Sequence, residues 1–332
     1  MVAILFLPAF LILTFRPDVL DPKQPRPTMQ SFKFGYLIKT GSLYERFNWH
    51  DSAIAKFQEA EQYAGQMTGA DTQYESAQRV RYLLAQSYLA EGRSNEAEKT
   101  YGRIVQSGMD AGDAFRSQNQ CDKAVPRYHD AERYSQKLTA TKFASLQAAR
   151  QNLAQCLSAT NQNTELEQVD LDMIQTMQDS ENPDRLKIGN TYIGVAFVRS
   201  HLQNWAGAQE ALLQALDAFD DTTRQFSGRY DPENRALQAK SSRDVATWYL
   251  AVAYLNEGKA DLALSTAESA YRIYSQPPVT QGILMQLILV GQKAASAQRD
   301  QEQIELWQQR LNDLTGTALE PATPMAVRIP DH

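Results

Sequence analysis

The chain has 332 residues, 43% of them hydrophobic, enough for two ordinary domains or one elongated repeat array with a buried core. Its net charge of −6, with acidic and basic residues interspersed, lacks the basic stripe that tracks a phosphate backbone and argues against nucleic-acid binding. Two cysteines and four histidines are too few and too scattered for a metal-ligand cluster.

Residues 1–16 carry an unbroken apolar run, MVAILFLPAFLILTF, that stops at Arg16. A spanning helix needs about 20 apolar residues, so this run of roughly 15 is short. It has no basic leader, no small-residue cleavage site and no cysteine behind it for a lipid anchor. The segment reads as a signal or membrane anchor. Arg16, Lys23 and Arg26, partly offset by Asp18 and Asp21, mildly favour a cytoplasmic body. Export is the usual fate of such a segment ahead of a soluble body. The expected location is membrane-associated and extracytoplasmic (periplasmic), with the side left open. Pro17, Pro22, Pro25 and Pro27 make residues 17–33 a linker.

Period-two alternation is hard to find, whereas Ala, Gln, Leu and Glu recur throughout, so the chain is expected to be all-α. A first helix pair begins near Met29–Phe34, with Gly41 and Tyr44 in one helix and Ala53, Phe57 and Ala60 in the next; Asp51 can cap the second. Leu84, Ala85 and Tyr88 repeat the pattern, Gly92 makes a turn, and Ala97, Tyr101 and Ile104 follow, with Ser94 placed to cap. A third copy uses Gly112, Phe115, Ala124, Tyr128 and Ala131, and follows so closely that its first helix must be short. Pro126 fits only near a first turn, which puts the helix start at Asp122 or Lys123. In the fourth copy Leu153, Ala154 and Leu157 precede Leu166 and Met173, with Asp170 where an aromatic is usual. In the fifth, Val195 and Ala196 precede Ala208, Leu212 and Ala215, with Arg199 where Tyr is usual. An insertion of roughly Asp220–Arg235 separates it from the sixth.

The sixth copy, Thr247–Pro277, shows the pattern best. Leu250, Ala251 and Tyr254 lead to the break Asn256-Glu257-Gly258, then come Ala263, Ala267 and Ala270, and Pro277 closes the unit. Small residues at fixed offsets let two antiparallel helices approach closely. This arrangement resembles the tetratricopeptide repeat, with L-G-x2-Y in its first helix, A-x3-F in its second and Pro at its end. The resemblance covers roughly Gly35–Pro277, with intervals mostly longer than the family's 34-residue unit. It implies a tetratricopeptide-like helical-hairpin solenoid over 34–277, about six helix pairs, with at least five antiparallel pairs between Gly35 and Tyr274. A related helical-hairpin solenoid is the structural alternative. Residues 278–314 read as a capping pair without the small-residue signature, made apolar by Ile283, Leu284, Leu287, Ile288 and Trp307, and 315–332 as an extended or disordered tail.

No Gly-rich phosphate loop, G-x-S-x-G or H-E-x-x-H pattern is present, and His50, His129 and His201 stand apart, so the chain reads as a non-enzyme without cofactor or metal. No small-molecule substrate is indicated. The resemblance implies a scaffold that binds a protein or peptide partner on the concave face formed by the first helices, here assembling an envelope or membrane complex. The face of Ile38, Ser42 and Glu45 with Arg79, Tyr82 and Gln86 is not a carboxylate clamp. The aligned positions in the fifth copy are Asn190, Ile193, Phe197 and His201, and in the sixth Val245, Trp248, Val252 and Leu255. Apolar side chains there need a cover, either a partner's segment anchored on Trp248 or the chain's own C-terminal helices and tail. Two rivals stay open: a ligand-sensing or enzyme-associated module with a pocket near the 220–235 insertion, and a permanent structural subunit.

Cys121 shares a helix face with Ala124, Tyr128 and Ala131, and Cys156 with Leu146, Ala149 and Leu153. A hairpin turning near Ala140 brings both faces to one interface. The pair is then either a disulfide, given an oxidising compartment, or two buried free thiols.

Overall fold

The computed structural model describes residues 29–226, 234–275 and 281–316, and these form thirteen α-helices and no strand. In chain order they are α1 (Met29–Arg46), α2 (His50–Ala64), α3 (Ala70–Ala90), α4 (Ser94–Ser117), α5 (Cys121–Ser135), α6 (Lys142–Ala159) and α7 (Asn163–Gln178). There follow α8 (Arg185–His201), α9 (Trp205–Phe226), α10 (Arg235–Asn256), α11 (Ala260–Tyr274), α12 (Gln281–Gln298) and α13 (Gln301–Thr315). The expected all-α helical-hairpin class is what the chain adopts. The apolar run 1–16, the linker as far as residue 28, Pro277 and the tail from 317 lie outside the described residues.

One turn geometry recurs through the chain. Asn48, Gly92, Asn119, Asn161, Gln203, Gly258 and Arg299 each hold a left-handed backbone, with φ between 55° and 82°. The next residue's N–H in each case reaches back to a carbonyl five residues earlier, from Trp49 to Tyr44, Arg93 to Tyr88, Gln120 to Phe115, Gln162 to Leu157, Asn204 to Arg199, Lys259 to Tyr254 and Asp300 to Ala295. That bond satisfies the carbonyls orphaned at the end of a helix and turns the chain back sharply. Each such turn joins the two helices of a pair.

A second device sets how closely the helices approach. Seven residues before the turn at Asn48 or Asn119 stands a glycine, and sixteen residues after that glycine stands a ring. A Cβ placed on Gly41 would sit 2.6 Å from Phe57, and one on Gly112 2.5 Å from Tyr128. Gly291 lies equally hard against Trp307, which is fully buried. Ala85 and Tyr101, and Ala251 and Ala267, hold the same offset, and all but Tyr101 are fully excluded from solvent. The missing Cβ leaves space for the ring, so the glycine and the aromatic are one packing unit.

Five expectations from the sequence differ from the fold. The third copy has no separate first helix: α4 runs unbroken for 24 residues and serves both as second helix of copy two and first helix of copy three. It contains no proline, and isolated glycines inside a helix cost only about 1 kcal/mol each, so nothing stops it. The helix after it starts at Cys121, which places Pro126 in its second turn. The C-terminal pair does carry the small-residue signature, through Gly291 under Trp307 with Ala294 and Ala295 fully buried, and so makes a seventh pair of the same kind. The linker ends earlier than read, since α1 already begins at Met29, and the front of the 220–235 insertion, up to Phe226, completes α9.

The chain divides into two compact units, residues 29–108 with 134–140 and residues 109–133 with 141–316, with two of the three boundaries falling inside α4 and α5. The first unit has a core of Phe34, Leu37, Ile38, Phe57, Val80, Leu84 and Tyr88 among others. Glu61 there ties Arg81 and Arg103 at 2.6 and 2.9 Å. The second unit holds three clusters, one centred on α8, α9 and α10, one on α10 to α13, and one around Tyr128, Leu153, Cys156 and Leu157. In the last of these Cys121 and Cys156 are joined by a disulfide, with Cα atoms 5.0 Å apart.

Candidate interaction surface

Helix α8 starts where Asp184 accepts a hydrogen bond from the Lys187 amide at 3.2 Å, and the same carboxylate pairs with Arg235 at the start of α10. One acidic side chain thereby fixes the starts of two first helices. Arg199, at the position where Tyr is usual, is half-buried and donates to Glu167 at 2.7 Å and to the Gly207 carbonyl at 2.9 Å. Its guanidinium ties α8 to α7 and α9, which is the work an aromatic ring does by packing in the better copies. Gly189 lies against the buried Phe219 ring and completes the α8–α9 contact.

This framework presents the expected residues in two different ways. On α8, Asn190 and His201 are exposed and Ile193 and Phe197 half-buried. The Phe197 and His201 rings lie 4.2 Å apart, and His201 Nδ1 sits 3.0 Å from the Phe197 carbonyl oxygen. Ile193 leans on the α8–α10 cluster and leaves its edge outward. On α10, Trp248 and Val252 are 8% and 4% exposed, packed with Leu284, Leu287, Ile288 and Trp307. Leu255 packs partly against the same cluster and Val245 is half-buried. The Trp248 and Tyr249 rings lie 4.5 Å apart and tilted by 35°, and the indole N–H of Trp248 has no acceptor among the described residues.

Of the two covers left open for Trp248 and Val252, the chain's own C-terminal helices are the one present, so Trp248 does not serve as an open anchor. Helix α12 covers Trp248 and Val252, because its apolar side chains need a surface to bury and α10 supplies it. The sequence carried this alternative in the apolar run Ile283, Leu284, Leu287 and Ile288 of the C-terminal pair. What stays accessible is the α8 stripe of Asn190, Ile193, Phe197 and His201, together with Val245.

The rest of the surface offers little chemistry. In the first unit Ile38 is buried and Glu45 is held by Ser87 and by His50 at 2.9 Å, so neither is available to a partner. Gln86 donates to the Tyr101 hydroxyl, and the exposed Tyr82 lies 6.1 Å from Tyr134, leaving Arg79 alone as a cation on that face. His129 sits 2.6 Å from Glu165, and the carboxylates of Glu132 and Glu165 hold its pKa above the ordinary value. None of the three described histidines has a nucleophile beside it. No group of three or more metal-ligating side chains occurs among the described residues. An open recess of about 350 Å³ lies among Phe143, Gln147, Met177, Asn182, Asp184 and Lys187. The middle of the 220–235 insertion, proposed as a pocket wall, lies outside the described residues.

No protein-family model matches the chain, and no curated protein does. Among solved structures it is similar to the apo form of RapI, at 9% identity over 85% of this chain and 76% of that one, with a TM-score of 0.51. It is also similar to an array of nearly identical TPR-like repeats of a kinesin light chain type from Podosopora anserina, at 14% identity over 64% of this chain and 95% of that one, TM-score 0.48. BtubC from P. vanneervenii is 14% identical over 92% of this chain and 99% of that one, TM-score 0.43. At such identities the likeness extends to the fold, and the fold is of the tetratricopeptide-repeat type.

Proposed function

We propose that this protein is a non-catalytic scaffold that binds a protein or peptide partner. The observation that carries this is the α8 stripe, an apolar row of Ile193 and Phe197 with an exposed imidazole at its end, on a first helix locked at both termini by buried or half-buried ion pairs. A rigid helix bearing partly exposed aromatic and aliphatic side chains suits an amphipathic helix or extended segment of a partner. Photocrosslinking tests it. With benzoylphenylalanine at position 197 the protein should form a discrete adduct in its native membranes, and none with the same probe at Leu213, exposed on the second helix α9. Equal adducts at both positions, or none at 197, would remove the assignment.

The same proposal places the body outside the cytoplasm, held to a membrane or exported by the apolar run 1–16. The disulfide supports it, because the two cysteines of the chain are both spent in one bond and such bonds persist in oxidising compartments. Protein alkylated as cells are broken should show no reactive thiol; two alkylated cysteines in the native protein would place it in a reducing compartment. No described helix is long and apolar enough to cross a membrane, so attachment in this reading falls to the run before Met29.

A further inference from the structure

Six of the fifteen large apolar side chains that are exposed among the described residues lie within α1 and the turn after it. Met29, Phe32, Tyr36, Leu43, Phe47 and Trp49 are between 49% and 72% exposed. Their spacing is that of one helical row. Met29, Tyr36 and Leu43 follow at intervals of seven, Phe32 lies beside them, and Phe47 continues the line four residues after Leu43. This row is opposite the one that α1 buries in its own pair, formed by Phe34, Leu37, Ile38 and Gly41. Helix α1 is thus apolar on two faces. The last helix of the chain behaves in the ordinary way. Helix α13 turns Gln301, Glu302, Glu305 and Gln309 outward, as the end of a repeat array does in water.

The charges on α1 narrow down what meets the outer row. Lys39 and Arg46 follow Phe32 at intervals of seven and so line one border of the apolar row. Lys33 stands on the other border, its ammonium 5.4 Å from the centre of the Tyr63 ring. The one acid of the helix, Glu45, is already held by Ser87 and His50. An aromatic row bordered by cations, in a chain whose net charge is −6, has the composition of a helix lying in a bilayer interface. There Phe, Tyr and Trp enter the headgroup boundary and lysines reach up to anionic lipid. The chain itself supplies the proximity. Only residues 16–28 separate the apolar run from Met29, and fully extended they span roughly 45 Å, about the thickness of one bilayer with its headgroups.

We infer that the outer face of α1, centred on Phe32, Tyr36 and Leu43, docks on an anionic lipid surface and holds the first repeat flat against the membrane. This rests on the membrane attachment proposed above and adds an orientation to it. The test uses the full chain with its disulfide intact, a nitroxide on Tyr36→Cys, and vesicles of phosphatidylcholine with one quarter phosphatidylglycerol. Leu262→Cys, on the exposed face of α11, is the reference. The ratio of collision with oxygen to collision with a water-soluble nickel chelate should be severalfold higher at position 36 than at 262. It should fall when Lys39 and Arg46 are both changed to Glu. Vesicle flotation with equal ratios at the two sites would overturn the docking and leave the attachment standing. Failure to float would overturn both. Spin–spin broadening between copies would show that a second molecule covers the face. Shielding from both reagents in the absence of vesicles would show that the residues before Met29 do, and either result would overturn the lipid assignment.

Discussion

Asp170→Asn should stabilise the protein at neutral and alkaline pH by roughly 2–4 kcal/mol. Asp170 stands on α7, sixteen residues after Ala154, where four other copies place an aromatic ring, Phe57, Tyr101, Tyr128 and Trp307. It is 7% exposed, no hydrogen bond or ion pair reaches its carboxylate among the described residues, and its oxygen lies 3.2 Å from where a Cβ on Gly194 would be. Burial pushes its pKa from 3.8 up to about 7. Because the folded value is the higher, the native state keeps a proton that the unfolded chain has lost. Stability therefore falls as pH rises from about 4 to about 7 and is level above that, a span of roughly 4 kcal/mol. Asn carries no charge to bury, at the cost of an amide that finds the same lack of partners. His129, raised by Glu132 and Glu165, contributes a loss of the same sign in the neutral range, so the comparison is between wild type and variant across the whole range. Chemical denaturation at pH 5 and pH 8 measures it. The gap between the two proteins should open between these values, and a gap that is constant with pH would show that Asp170 is not charged at a cost in the fold.

The small-residue and aromatic spacing in Gly41 with Phe57, Ala85 with Tyr101 and Gly112 with Tyr128 is local, within one hairpin, and so the repeats were legible. The turns at Gly92 and Gly258 were legible because glycine takes a left-handed backbone freely, whereas Gln203 and Arg299 adopt the same conformation with no residue-type signal. The continuity of α4 was not legible, since two adjoining helices and one long helix have the same composition when no breaker lies between them. Asp170 and Arg199 looked like degenerate copies. Arg199 proves to be a substitute contact made of hydrogen bonds, while Asp170 is a missing ring with nothing in its place. The proposed binding face was half legible. Periodicity placed Phe197 and Trp248 on equivalent faces, and only the packing of a helix some forty residues further on decides that one is open and the other closed.

The second large effect follows from that division. Trp248→Ala should destabilise the protein by about 3–5 kcal/mol, since it removes a large side chain from the cluster shared by α10, α12 and α13 and leaves a cavity beside Leu287 and Trp307. Any loss of partner capture by this variant should track its loss of fold. It should be recovered where the variant is folded, at low temperature.

Phe197→Asp separates partner binding from folding, because the Phe197 side chain is half-exposed and belongs to none of the buried clusters. With the crosslinked partner purified, its affinity for wild type and for the variant is measured at a temperature where both give the same helical circular dichroism. Affinity should be lower by roughly tenfold or more for Phe197→Asp, as expected of an aromatic anchor, with thermal stability unchanged. Undiminished affinity in a folded Phe197→Asp protein would contradict this and move the partner to a surface other than the α8 stripe.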